Sequence, residues 1–287
     1  MKIYCLIVLL FVLTLGDSFS QEDICIGKKY KMYSGYLQEE REYQVYLPVS
    51  YNENGDVSQK YPVIYLIDGE SFFHSLTAIH QSFTKGRMSR MPECVIVGIV
   101  STDRTRDLTP TMSAYRRDGT VQEGDKEMGG ESDVFADFLT KELRHIIDSA
   151  FLTSGKNILF GHSYGGLFVL NIFLKQTETF DTYIAVDPSL WWDNARLAKE
   201  AIDIVKTKQF SDKTLYIGVA GMARPDNKYI HLDVMNNFLN ETLPVGEENG
   251  LKYYSKIFPD ENHGSIPIPA MIDAFKQIYI GHDKIGK

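Results

Sequence analysis

Apolar and polar positions alternate between two regimes along this chain. Nearly unbroken apolar runs occur at Tyr61 to Ile67, Cys94 to Val100, Thr182 to Val186 and Thr214 to Ala220, the pattern of strands buried on both faces. Between them, apolar residues recur at helical spacing. Phe135, Phe138, Leu139, Leu143, Ile146 and Ile147 share one side of a helix predicted over 133–148. The same period predicts helices over 194–206, 229–243 and about 271–279, and a short one after Asp68-Gly69-Glu70-Ser71. Upstream, residues 29–48 alternate around Tyr43-Gln44-Val45-Tyr46-Leu47, as antiparallel edge strands do, and Asn52 to Gln59 is a polar hairpin loop. Leu251 to Phe258 alternates as a last strand. Strands separated by helices require crossover connections, so the expected class is α/β, with a mostly parallel central sheet and helices on both faces. No repeat or linker interrupts the pattern, so residues 21–287 read as a single domain.

The first 20 residues stand apart. Lys2 precedes an apolar run, Cys5 to Leu15, too short to span a bilayer comfortably, and Ser18-Phe19-Ser20 places small residues at the −3 and −1 positions. This predicts a signal peptide cleaved before Gln21, hence a secreted or periplasmic protein with no membrane span after its removal. An uncleaved N-terminal anchor is the alternative. Cys5 leaves with such a segment, and Cys25 and Cys94 remain as a possible pair in an oxidising compartment. The formal net charge of −8, without a Lys/Arg cluster, argues against a nucleic-acid partner.

The candidate chemistry centres on residues 156–175, KNILFGHSYGGLFVLNIFLK. The apolar Ile158-Leu159-Phe160 meets Gly161-His162-Ser163-Tyr164-Gly165-Gly166, and a helical run follows. This is the strand, sharp turn and helix of a G-x-S-x-G nucleophile elbow. Its serine sits in strained backbone, and side chains at Gly161 or Gly165 would collide with the neighbouring strand or helix. A bare G-x-S-x-G arises by chance in roughly one chain in ten of this length; the flanking pattern and a well-placed late histidine set this one apart. Ser163 is the expected nucleophile. His263, on the loop after the last strand, is its expected base, because a serine hydroxyl needs a proton acceptor as it attacks. The other histidines, His74, His80, His145, His162, His231 and His282, are less well placed, and His162 reads as a packing residue. No H-E-x-x-H, C-x-x-C, calcium loop or phosphate-binding glycine pattern occurs, so neither metal nor cofactor is expected.

The order Ser163, acid, His263 matches that of the α/β-hydrolases. The resemblance extends further, through Tyr65-Leu66-Ile67-Asp68-Gly69, Arg104 to Pro110, Gly161 to Gly166, Pro188-Ser189-Leu190-Trp191-Trp192 and Glu261-Asn262-His263-Gly264-Ser265. On these residues the chain resembles the putative-esterase family related to esterase D, especially its secreted branch similar to siderophore esterases. The resemblance implies an α/β-hydrolase fold and a serine esterase acting on small soluble esters: short-chain, aryl or siderophore-type. A non-catalytic binding protein on the same fold and an acyltransferase are the alternatives.

For the triad acid, Asp226 lies just beyond the strand ending at Ala220, the usual place. Asp187, at the end of the preceding strand, is the alternative, and Asp233, Glu261 or no acid at all stay open. The oxyanion hole should combine the backbone N–H of Tyr164 with that of Glu70. Trp191 and Trp192 either line a substrate pocket or pack in the core. Arg104 and Arg106 either meet an anionic substrate or pair with neighbouring acids such as Asp103 and Asp107. They lie in a long polar connection, Ser101 to Ser132, and a loop of that length is more often functional than idle.

Overall fold

Val63, Ile64, Tyr65, Leu66 and Ile67 are all fully buried, which is why their strand shows no alternation. In the computed structural model, which describes residues 22–52, 58–85, 89–222 and 230–279, they form the third strand of an eight-stranded sheet. The expected signal peptide lies outside the described residues. In chain order the elements begin β1 (Lys28–Ser34), β2 (Glu39–Tyr46), β3 (Tyr61–Ile67), α1 (Gly69–Thr84), β4 (Val95–Ile99) and α2 (Arg104–Leu108). A small hairpin follows, β5 (Met112–Ser113) with β6 (Met128–Gly129), then α3 (Ser132–Asp137), a π-helical segment (Phe138–Leu143) and α4 (Arg144–Ala150). Next come β7 (Thr153–His162), α5 (Tyr164–Lys175), β8 (Thr182–Val186), α6 (Trp192–Thr207) and β9 (Thr214–Ala220). The described chain closes with α7 (His231–Asn237), a second π-helical segment (Phe238–Thr242), α8 (Leu243–Glu248), β10 (Lys252–Phe258) and α9 (Pro267–Ile278).

The strand order is β1-β2-β4-β3-β7-β8-β9-β10, antiparallel at β1/β2 and β2/β4 and parallel elsewhere. Successive residues of each parallel strand serve opposite faces. Val63, Tyr65, Ile67 and Leu159 pack with Phe135, Leu167 and Leu197 from helices on one side. Ile64, Leu66 and Phe160 pack with Leu76, Met271 and Phe275 from α1 and α9 on the other. Both faces are therefore covered, as the apolar runs demand, and the α/β-hydrolase architecture follows. Parallel strands put all their carboxyl ends at one edge of the layer, and the site is built there.

The long polar connection is structured. Arg116 pairs with Asp125 through two bonds of 2.8 and 2.9 Å, and Gly130 N–H donates to Thr109 Oγ1, tying the β5–β6 hairpin to the end of α2. Cys25 is exposed and Cys94 buried, and the two do not pair. Among the described residues no helix is long and apolar enough to cross a membrane.

Candidate active site

Three adjacent parallel strands, β3, β7 and β8, each end in a residue with positive φ: Asp68 at 59°, Ser163 at 62° and Asp187 at 42°. Such non-glycine conformations cost on the order of 1–3 kcal/mol each and persist only where the surroundings over-determine them. At Ser163 the cause is visible. Its N–H donates to Val186 C=O at 3.0 Å, and its own C=O accepts from Leu167 and Ser189 N–H at 2.9 and 3.0 Å. The reversal from β7 into α5 brings backbone against backbone: a Cβ on Gly161 would lie 2.3 Å from the Gly165 carbonyl, and one on Gly165 would lie 3.1 Å from Ile67 on β3. Gly161 therefore admits no side chain, and at Gly165 one would press on Ile67, as the elbow motif leads one to expect.

The strained turn presents Ser163 Oγ to His263 Nε2 at 2.9 Å, and His263 Nδ1 lies 2.5 Å from Asp187 Oδ2. The loop carrying His263 is held by Asn262, whose Oδ1 accepts from Gly264 and Ser265 N–H at 2.9 and 3.1 Å. It is held again from the elbow itself. His162 Nε2 bonds the His263 carbonyl at 2.9 Å, and the two rings lie 4.6 Å apart. His162 therefore packs, as its position suggested, and also pins the backbone of the histidine that faces Ser163. Burial, and then the nearby His263, push the His162 imidazole down to about 4, so it donates as a neutral ring at ordinary pH.

Asp187 is 1% exposed. Burial alone would push its carboxyl upward. Hydrogen bonds from His231 and His263, with a further one from Ala220 N–H, reverse that and hold it well below the usual carboxylate range. An ionised carboxylate only accepts, so His263 carries its proton on Nδ1 and offers Nε2 as acceptor for the Ser163 hydroxyl. The acid position that the sequence ranked second is thus the one bonded to His263. Asp226, ranked first, lies outside the described residues.

A family model described as "Putative esterase" matches residues 34–244. The chain belongs to that esterase family. It is 33% identical over 166 residues to the siderophore enterobactin esterase of Emericella nidulans, covering 54% of this chain and 55% of that protein, so this match spans about half the relative's length. It is 30% identical over 225 residues to the ferri-bacillibactin esterase BesA of Bacillus subtilis, covering 74% of this chain and 76% of that protein. Among solved structures it is similar to an IroE-like serine hydrolase from Shewanella oneidensis, with a TM-score of 0.81 and 30% identity over 88% of this chain and 80% of that one.

The remaining expected site residues of this esterase-family chain fall into two groups. Glu70 and Tyr164 sit at the first turns of α1 and α5, whose parent strands are neighbours, so both helices open at the same edge. Trp191 and Trp192 are 3% and 4% exposed, yet with Tyr164 they form the wall of a cleft of about 300 Å³ beside the elbow. Core packing and pocket lining turn out to be the same thing here. Trp192 Nε1–H donates to Thr111 C=O at 3.0 Å, which fixes its edge, and Tyr164 packs edge-on to it at 5.3 Å.

Arg104 and Arg106 form the second group, and the structure engages both inside the protein. Arg104 grips Asp68 through two bonds of 2.7 and 2.8 Å, bracing the turn that leads to Glu70. Arg106 bonds Asp107 at 2.7 Å and Glu39 at 2.6 Å. The pairing with Asp107 was open from the sequence; Asp68 and Glu39 as partners were not. The cations that line the cleft are Arg116, itself paired with Asp125 of the same lining, and Arg117 and Lys126, with the Arg117 guanidinium 5.3 Å above the Trp191 ring. Sequence reasoning assigned no substrate role to Lys126. It also passed over His231, which nothing in the local sequence marks.

Proposed function

We propose that this protein is an exported serine esterase that hydrolyses carboxylic esters of soluble, aryl-bearing or siderophore-type substrates through an acyl-enzyme. The observation that carries the reading is the continuous chain of hydrogen bonds from Ser163 Oγ through His263 to Asp187, at 2.9 and 2.5 Å. Ser163 attacks the ester carbonyl carbon while His263 Nε2 takes its proton, and Asp187 compensates the imidazolium. The oxyanion is held by the N–H groups of Tyr164 and Glu70 at the positive ends of two helices. Collapse of the tetrahedral intermediate breaks the bond to the alkoxide, which leaves with the Nε2 proton as an alcohol. Water then gives a proton to Nε2, attacks the acyl-serine and releases the carboxylic acid, and Ser163 recovers its proton. Water and ester are consumed, acid and alcohol are formed, and the enzyme is regenerated.

The substrate reading draws on two supports. The relatives named above act on enterobactin and ferri-bacillibactin by their descriptions. The cleft lined by Tyr164, the residue after Ser163, combines aromatic walls with Arg117, Lys126 and the Arg116–Asp125 pair, a lining suited to an aryl ring carrying negative charge and poorly suited to a lipid surface. Fluorophosphonate labelling and an ester panel test both layers. Ser163→Ala should lose the covalent label and at least about a thousandfold of p-nitrophenyl acetate hydrolysis while staying folded. Retention of a tenth of the activity would sink the nucleophile assignment. In the panel, aryl esters and a catecholate siderophore lactone should be cleaved and long-chain triacylglycerol should not; interface-activated hydrolysis of the latter would overturn the substrate reading alone.

A further inference from the structure

Asp187 accepts three hydrogen bonds, and only one comes from the histidine facing Ser163. Oδ2 takes His263 Nδ1–H, while Oδ1 takes Ala220 N–H at 2.9 Å and the Nε2–H of His231 at 3.0 Å. His231 is 3% exposed and opens α7, far in sequence from the strand end it touches. Because the carboxylate can only accept, the ring must present Nε2 as its donor.

The carboxylate torsion of an aspartate is broad and roughly twofold, so a group bonded through one oxygen alone swings freely. Ala220 N–H already holds Oδ1, and His231 adds a second donor to the same oxygen, which narrows the torsion further and keeps Oδ2 aimed at His263. The choice of imidazole also matters. A guanidinium in this place would bring a permanent charge that competes for Asp187 at the moment His263 becomes cationic. An imidazole can orient the carboxylate without that competition.

We propose that His231 is a positioning residue for ester hydrolysis, holding the Asp187 carboxylate so that Oδ2 meets His263 Nδ1 throughout the reaction. This rests on reading Ser163, His263 and Asp187 as the catalytic triad. It adds a fourth member that acts only through the acid.

The test compares His231→Leu, which fills the space without a donor, with His231→Gln, whose amide can still donate to Oδ1. Ser163→Ala is the control for the underlying reading. With p-nitrophenyl acetate, His231→Leu should lower kcat about 10- to 100-fold, the effect of losing one charge-assisted hydrogen bond in the transition state. KM should change less than about twofold, as expected when an interaction is felt only in the transition state. The far-downfield proton resonance of His263 Nδ1–H should shift or broaden. His231→Gln, which keeps a donor to Oδ1, should recover kcat to within about fivefold of wild type. Wild-type kcat in His231→Leu, or equal losses in the two variants, would overturn the proposal. If His231→Leu does not fold, the same contrast is read between His231→Gln and the shorter His231→Asn, and equal kcat there overturns it. An active Ser163→Ala brings down the triad reading itself; an inactive Ser163→Ala beside a fully active His231→Leu removes only the role of His231.

Discussion

Asp187 and Asp107 are equally buried carboxylates, each with a side chain 2% exposed, and each is bonded on both oxygens by basic side chains. Asp107 meets Arg41 at 2.6 Å and Arg106 at 2.7 Å. Asp187 meets His263 and His231. In the first cluster the partners are guanidinium groups that never release their protons, and Arg41 is itself 1% exposed and bonded onward to Val100 C=O and Glu39. Those guanidinium groups keep their protons at any working pH, so the cluster ties β2 to α2 as a set of fixed charges. In the second cluster the partners are imidazoles, one of which faces a hydroxyl. The same degree of burial and the same acceptor thus give a rivet in one place and, in the proposed mechanism, the support of a proton-accepting histidine in the other. The partner's acidity decides which.

The sharpest way to break this comparison is Asp187→Asn. The amide would force His263 toward the wrong tautomer, so kcat should fall about ten-thousandfold with little change in KM. Steady-state kinetics on p-nitrophenyl acetate check it, with Asp226→Asn alongside. A deeper loss in Asp226→Asn would restore the ranking that the sequence suggested.

Arg41→Met tests the other cluster. Removing one partner of a buried pair leaves Asp107 under-compensated, and stability should fall by roughly 3–5 kcal/mol. Urea denaturation measures this, and kcat per folded molecule should stay within about twofold. A large loss of kcat with the fold intact would mean that the rivet reaches into the chemistry.

Buried imidazoles without a carboxylate partner sharpen the contrast further. Burial pushes both His80 and His162 down to about 4. The unfolded chain binds these protons first, near the ordinary value of about 6.5, so their contribution is full above that pH and is lost as pH falls toward 4. The loss is on the order of 3 kcal/mol for each ring. Asp187, whose carboxyl is depressed, has the same sign, with stability present above its ordinary range near about 4 and lost only below it. The denaturation midpoint should therefore drop steadily between about pH 6.5 and 4. His80→Gln should flatten that slope by about one proton; an unchanged slope would show that His80 is not one of the groups responsible.

The smallest expected effect concerns the cleft. Arg117→Ala should raise KM for an anionic aryl ester about three- to tenfold, in line with a partly exposed cation–π and charge contact, and leave p-nitrophenyl acetate unchanged. Arg106→Ala should do the reverse, lowering stability without touching KM. Equal KM effects from both would return Arg106 to the substrate.

Burial periodicity made most of the fold legible. The strands at 182–186 and 214–220 and the helix starting after Ser163 follow directly from where apolar residues fall, because a two-faced strand and a one-faced helix need different spacings to remove the same surface from water. The elbow at Ser163 was legible because its strained turn permits few residue types, and the late histidine expected beside it, His263, is the one hydrogen-bonded to Ser163. The sequence did not specify the two-residue strands of the β5–β6 hairpin, too short to carry a period, or the π-helical segments within 132–150 and 231–248. Nor did it settle which acid meets His263, or that His231 meets Asp187 and Arg104 meets Asp68. Asp187 is 76 residues from His263 and 44 from His231, and Arg104 is 36 from Asp68. A carboxylate, an imidazole and a guanidinium each carry the same composition signal wherever they stand. Only the packing of strands β3, β7, β8 and β9 side by side decides which of them come within 3 Å, and whether a buried acid is met by a base that keeps its proton or one that can pass it on.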